Sequence, residues 1–130
     1  MVTGLEFVVL HVRDIAQARD FYTQKLGLTL AERTPGGRPQ NTSDEAPPFL
    51  QFNRPGGHGA TFALQLDADA QPITQLDLVW LVEDADAAHA ELVSQGVEIA
   101  SAPQDYPFGR QFVIKDPAGN SIYLLQPVRH

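Results

Sequence analysis

Two stretches of this chain repeat one another at an offset of 70 residues, and a repeat that spans half the length leaves few architectures open. Phe7-Val8-Val9-Leu10-His11-Val12-Arg13-Asp14-Ile15 and Asp77-Leu78-Val79-Trp80-Leu81-Val82-Glu83-Asp84-Ala85 are each an apolar run ending in Val-x-Asp. The residues beyond each aspartate also match. Ile15, Ala18, Phe21, Tyr22 and Leu26 recur at helical spacing, as do Ala85, Ala88, Leu92 and Val93. Asp14 fits an N-cap with Gln17 as capping-box partner, and Gly27 fits the C-terminal stop. The second stop, Gly96, comes one residue earlier than the offset predicts.

Extended segments come after each helix: 28–33, 49–53 and 60–66 in the first half, and 97–100, 112–115 and 121–125 in the second. Each half therefore reads as strand, helix and three strands. Asp116-Pro117-Ala118-Gly119-Asn120 is a hairpin turn, with Pro117 presetting φ and Gly119 or Asn120 able to take positive φ. Two segments rich in proline, glycine and polar residues, 34–48 and 54–59, are expected to be loops, the longer being either a flap over a site or a disordered excursion. No strand-to-helix junction surrounds the glycines of the second, which argues against phosphate binding.

A chain of 130 residues, 43% hydrophobic, buries roughly two-thirds of its unfolded surface. That suffices for one domain, expected to consist of a module over 1–70 and a second over 71–130. The absence of cysteine excludes disulfides, thiolate metal sites and cysteine nucleophiles. A net charge of -7 disfavours nucleic acid and anionic membranes and favours cationic ligands. Met1-Val2-Thr3-Gly4-Leu5-Glu6 lacks the basic start and apolar run of a secretory leader, so a soluble, cytoplasmic protein is expected.

Several motifs together resemble the vicinal oxygen chelate superfamily of glyoxalases, bleomycin-resistance proteins and extradiol dioxygenases. They are Val12-Arg13-Asp14-Ile15 leading to Phe21-Tyr22 and Leu26-Gly27-Leu28, Val82-Glu83-Asp84 leading to Gly96-Val97, and Asp116 to Leu124. The resemblance covers nearly the whole chain. It implies an α+β fold in which two βαβββ modules form an eight-stranded, cup-shaped sheet, commonly completed by a homodimer. Catalytic members hold a metal with one side chain from the first and one from the last strand of each module. Carried over to this chain, those positions are Phe7, Gln65, Asp77 and Tyr123. Phenylalanine has no donor, glutamine and tyrosine are poor ligands for divalent first-row metals, and only Asp77 offers a carboxylate. Shifting the Gln65 assignment to Ala63 or Leu64 supplies no ligand, and Asp67 lies near the strand end. No metal or other cofactor is expected.

Of the four histidines, His11 shares strand parity with Phe7, which leaves it either a general base or hydrogen-bond donor in the cup or a structural residue. His89 is expected on a solvated helix face; His58 and His130 lie in a loop and at the C-terminus. Asp77 reads either as a cup carboxylate that binds a cation or acts as a base, or as an exposed residue at the start of a strand. Phe7 and Tyr123 suit a stacking pocket for a flat organic molecule. Trp80, of opposite parity to Asp77, is expected in the core. The segment 102–110 resembles the family's loop at the cup rim, which makes Tyr106, Phe108 and Arg110 candidate ligand contacts. The resemblance thus implies metal-independent binding of a small, cationic or aromatic organic molecule, as in the antibiotic-binding, resistance branch. The rival is a glyoxalase-like lyase, isomerase or dioxygenase with an unrecognised metal set or an acid-base site at Asp77, His11 and Tyr123.

Overall fold

The computed structural model describes residues 1–3, 5–32, 48–57, 60–128 of the chain. The expected loop from Thr34 lies outside these residues up to position 47, as do His58 and His130. The chain divides into two compact units, Met1–Gln71 and Pro72–His130.

In the first unit, β1 (Phe7–Val12) leads to α1 (Ile15–Asp20), and then to β2 (Phe49–Gln51) and β3 (Thr61–Leu66). The sheet order is β1-β3-β2, with β1 and β3 parallel and β2 antiparallel to β3. The second unit repeats this plan with β4 (Leu78–Leu81), α2 (Ala85–Ser94), β5 (Ile99–Tyr106), β6 (Gly109–Lys115) and β7 (Ser121–Pro127), in the order β4-β7-β6-β5. The fold is α+β. Among the described residues there are two open sheets of three and four strands, where eight strands were expected. The missing one was expected at 28–33, of which the described residues 28–32 contribute an isolated bridge from Leu30 to Phe52. Hydrogen bonds from Ala31 N–H to the Gln51 carbonyl (2.9 Å) and from Asn53 N–H to the Thr29 carbonyl (2.8 Å) hold it beside β2 without a continuous ladder.

Both helices start as the sequence dictates. The Asp14 carboxylate accepts from Gln17 N–H at 2.9 Å, and the Asp84 carboxylate from Ala87 N–H at 3.1 Å, each satisfying a donor that the first helical turn leaves unpaired. At the end of α2, Gly96 at φ 77° lets its own N–H reach the Val93 carbonyl and that of Val97 reach the Leu92 carbonyl, a Schellman arrangement. The first helix instead widens into a π turn over Phe21–Lys25, where Leu26 N–H bonds to the Phe21 carbonyl. The extra residue that displaces Gly27 from the repeat offset is accommodated there, because an i→i+5 turn takes up one more residue than an α turn.

Helix and sheet bury one face of each strand. Under α1 the rings of Phe21, Tyr22, Phe52 and Phe62 pack together, Tyr22 lying 5.1 Å from Phe21 and 4.9 Å from Phe62. Under α2 the core is Leu78, Leu92, Phe112, Ile114, Ile122 and Leu124, all buried. Trp80, in register with Leu124, takes the helix-facing parity and is half-buried. His89 departs from expectation: it is half-buried, its ring 5.4 Å from that of Phe112.

The segment 102–110 also departs from expectation, forming the end of a β5–β6 hairpin rather than a loop. Pro103 is tolerated because β5 is an edge strand and its pairing shifts register between Ile99 and Ser101 and between Ser101 and Gln104. The last hairpin matches its motif. Asp116 is buried, and its carboxylate accepts from Ala118 N–H, Asn120 N–H and the Asn120 side chain at 3.0, 2.8 and 3.0 Å, offsetting the cost of desolvation. Among the described residues no helix is long and apolar enough to cross a membrane.

Candidate ligand-binding faces

Because strand residues alternate sides, each sheet has a second face that its helix does not cover. In the second unit, register places Val79 beside Tyr123, Leu81 beside Leu125, Val113 beside Tyr123 and Gln111 beside Leu125. All six point away from α2. Val79 is 49% and Leu81 74% exposed, and Val113, Tyr123 and Leu125 are half-buried. The result is an aliphatic surface with one phenol at its centre. Asp77 precedes β4, is exposed, and makes no hydrogen bond or ion pair with any described residue.

At the end of this sheet a cleft of about 440 Å³ is lined by Asp105, Tyr106, Gly109, Arg110, Gln126, Pro127 and Val128. The exposed rings of Tyr106 and Phe108 stack at its hairpin, 5.3 Å apart and nearly parallel. Arg110 is committed elsewhere: Nε and Nη2 donate to Asp86 on α2 at 3.1–3.2 Å, and Nη1 donates to Asp105 at 3.0 Å. These two carboxylates, Asp86 foremost, raise its pKa and keep it charged. Arg110 therefore ties the hairpin to the helix and neutralises the cleft's acidic wall. Close approach of β6 to β7 requires Gly109. A Cβ there would collide with the Gln126 carbonyl oxygen and lie 2.9 Å from Pro127 Cα, on a backbone at φ 148°.

The corresponding face of the first sheet carries Phe7, Val9 and His11 from β1, Thr61, Ala63 and Gln65 from β3, and Phe49 and Gln51 from β2. Thr61, Ala63 and Gln51 are buried, and Gln51 Nε2 donates to Thr61 Oγ at 3.0 Å. His11 is exposed, with Nδ1 2.9 Å from Asp67 Oδ2.

Comparison with known proteins fixes the family. The sequence profile of the Glyoxalase/Bleomycin resistance protein/Dioxygenase superfamily matches residues 4–124. The chain belongs to this superfamily. Among solved structures it is similar to an antibiotic-binding protein, TnmS3 from Streptomyces sp. CB03234, at 31% identity and a TM-score of 0.75, with 98% of each chain covered. It is similar also to a glyoxalase/bleomycin resistance protein from the same Streptomyces strain, at 30% identity and TM-score 0.67, over 95% of this chain and 100% of that one. A superfamily member from Sphaerobacter thermophilus DSM 20745 matches at 25% identity and TM-score 0.73, over 95% and 97% of the two chains. No functionally curated protein sequence matches.

Set against the superfamily's metal positions, the two units differ. Phe7 and Asp77 stand at the same place in their repeats. Tyr123 pairs with Val79, and the β3 residue that pairs with the equivalent Val9 is Ala63, so Ala63 occupies the Tyr123 position while Gln65, two residues on, lies beside His11. Phenylalanine, alanine, aspartate and tyrosine do not fit a divalent metal, since a single carboxylate and a phenol fall short of the three or four donors such sites use. Among the described residues no group of three or more histidine, aspartate or glutamate side chains is placed to hold one.

The structure thus gathers Tyr106, Phe108 and Arg110 at one hairpin, puts Tyr123 on the aliphatic face, and leaves Phe7 and Gln65 on the other sheet. Sequence reasoning missed Val79, Leu81, Val113 and Leu125 as face residues, although their alternation with Leu78, Trp80, Ile114 and Leu124 carries the signal. It also missed the pairing of Asp67 with His11 and of Asp86 with Arg110, which join residues 56 and 24 positions apart.

Proposed function

We propose that this chain binds a small, flat organic molecule without a metal, in the manner of the antibiotic-binding members of its superfamily, and does so as a homodimer. One observation carries the reading: the aliphatic face of Val79, Leu81, Val113 and Leu125 around the Tyr123 phenol, which leaves large apolar side chains in water. Such surface is unfavourable unless something covers it, at roughly 25 cal/mol per Å². An aromatic ligand can lie on the aliphatic residues while the phenol hydrogen-bonds to its edge. The neighbouring Tyr106–Phe108 stack offers a second aromatic wall, and the net charge of -7 favours a cationic group on the ligand. The likeness to TnmS3 supports the class of ligand, and the donor set around Asp77 supports independence from metal. β1 and β4 are edge strands of their sheets, the kind of element through which a second copy pairs.

Calorimetric titration of cationic and planar aromatic antibiotics, with and without EDTA, tests this. Binding that survives EDTA and falls at least tenfold in Leu81→Asp is expected. Binding lost on chelation, together with near-stoichiometric metal in the purified protein, would overturn the metal-free reading in favour of a metal-dependent enzyme.

A further inference from the structure

One end of the helix-free face of the second sheet is polar. The antiparallel ladder of β6 and β7 sets Lys115 directly opposite Ser121 and, two residues along, Val113 opposite Tyr123. All four share the alternation that points away from α2, and all four are half-buried. Lys115 Nζ donates to Ser121 Oγ at 2.7 Å, which holds the ammonium against the sheet. Tyr123 stands diagonally across from Lys115, roughly 7–8 Å away along the backbone, a span that long and aromatic side chains bridge.

The second unit treats its cations unequally. Arg110, on the helix side of the sheet, is held between Asp86 and Asp105, whereas Lys115 meets a hydroxyl and no carboxylate among the described residues. The acids near it are engaged elsewhere. Asp116 accepts from Ala118 N–H, Asn120 N–H and the Asn120 side chain within its own turn, and Glu98 meets Lys115 through the backbone, its carbonyl accepting from Lys115 N–H at 3.0 Å. An ammonium carries three hydrogens, of which Ser121 takes one. Because Ser121 Oγ accepts that bond, its own hydrogen is left to donate, as is that of the Tyr123 phenol. Two ammonium hydrogens and two hydroxyls thus stand at one end of an aliphatic face, with no acceptor for them among the described residues. Withdrawing a charge from water in this way is unfavourable unless a partner meets it.

We propose that Lys115, braced by Ser121, binds a carboxylate carried on the edge of the aromatic ligand, whose ring lies over Val113 and Val79 beside Tyr123. The proposal rests on the reading that this face binds a small flat molecule, and it names the group that orients the molecule there. A carboxylate has two oxygens, so one can accept from Lys115 on β6 while the other accepts from Ser121 or Tyr123 on β7. Charge-assisted hydrogen bonds of this kind are roughly twice as strong as neutral ones. The donors sit on paired strands rather than on a loop, so little ordering is needed when the ligand arrives. The net charge of -7 does not oppose this at contact: exposed charges are screened beyond about 10 Å at 0.1 M salt, and the charge at this end of the face is that of Lys115.

Calorimetric titration of 2-naphthoate and its methyl ester at neutral pH tests this. The carboxylate is expected to bind wild-type protein about tenfold more tightly than the ester. Lys115→Met, which keeps the length of the side chain and removes its charge, should abolish that preference while leaving ester affinity unchanged. Equal affinities in wild type, or a preference that survives in Lys115→Met, would remove the role of Lys115 and leave the binding reading intact. Failure of both probes to bind would overturn the two together. Amide NMR of the wild-type protein gives an answer that does not depend on the variant folding. The shift differences between carboxylate-bound and ester-bound protein are expected to be largest at Lys115, Ser121 and Tyr123, and differences centred instead on the β5–β6 hairpin would overturn the proposal.

Discussion

The two sheets are built on one plan, yet their helix-free faces differ. In the first unit the face is mixed and partly closed: beside the half-buried Phe7, Val9 and Phe49, Ala63 is fully buried, Thr61 and Gln51 are buried and hydrogen-bonded to each other, and His11, exposed near the end of β1, is held by Asp67. In the second unit the equivalent positions hold Tyr123, Val79, Leu81 and Leu125, and the face is apolar and open. A duplicated scaffold keeps its helix-facing residues similar because they must fill the same space. The other face is released from that demand, so one copy can bury a polar pair at its centre while its sibling keeps an open aliphatic surface.

Exchanging counterparts should break this contrast most strongly. Ala63→Tyr forces a phenol into a buried position and is expected to cost about 1–3 kcal/mol or more, read as a fall in the denaturation midpoint. The reciprocal Tyr123→Ala, on a half-exposed face, should cost less than about 1 kcal/mol while weakening ligand binding. If both changes destabilise equally, the two faces are not distinct. Gly109→Ala comes next. It should cost roughly 1–3 kcal/mol and loosen the β6–β7 pairing at Arg110 and Gln126, seen as faster amide exchange there and not in the first unit.

The smallest effect sharpens the comparison at the His11 edge. The Asp67 carboxyl has a folded pKa below its unfolded value, so its contribution to stability is present above the unfolded carboxylate pKa, about 4, and fades as pH falls through the lowered folded value. The group is exposed, so the difference between wild type and Asp67→Asn should be small at neutral pH and disappear in strong acid. A difference that grows as the pH falls would show that the pair is not arranged as described.

Much of the local structure was legible. Asp14 and Asp84 cap helices because their side chains reach N–H groups three residues on, and Gly96 ends its helix because it alone takes positive φ without strain. The Asp116 to Asn120 hairpin is set by its own carboxylate. The site was less legible. The counterpart of Tyr123 falls on Ala63 rather than Gln65, because register is set by pairing with a strand far away in the chain, and the sequence of β3 does not state which of its residues stands beside Val9. The extension of β5 through Pro103 was hidden because a proline ordinarily ends a strand, and only a position at the sheet edge excuses it.

By itself the sequence determined whatever rests on neighbours within a few residues: the repeat, the capped helices, the turns, the side of each strand that faces its helix, and the poverty of metal donors. The tertiary structure decided what stands opposite what. It brought Asp67 to His11 and Asp86 to Arg110, buried Ala63 and exposed Leu81. Strand alternation fixes the direction in which a side chain points, whereas its partner is set by pairing between segments far apart in the chain, a choice made by the packing of the whole sheet.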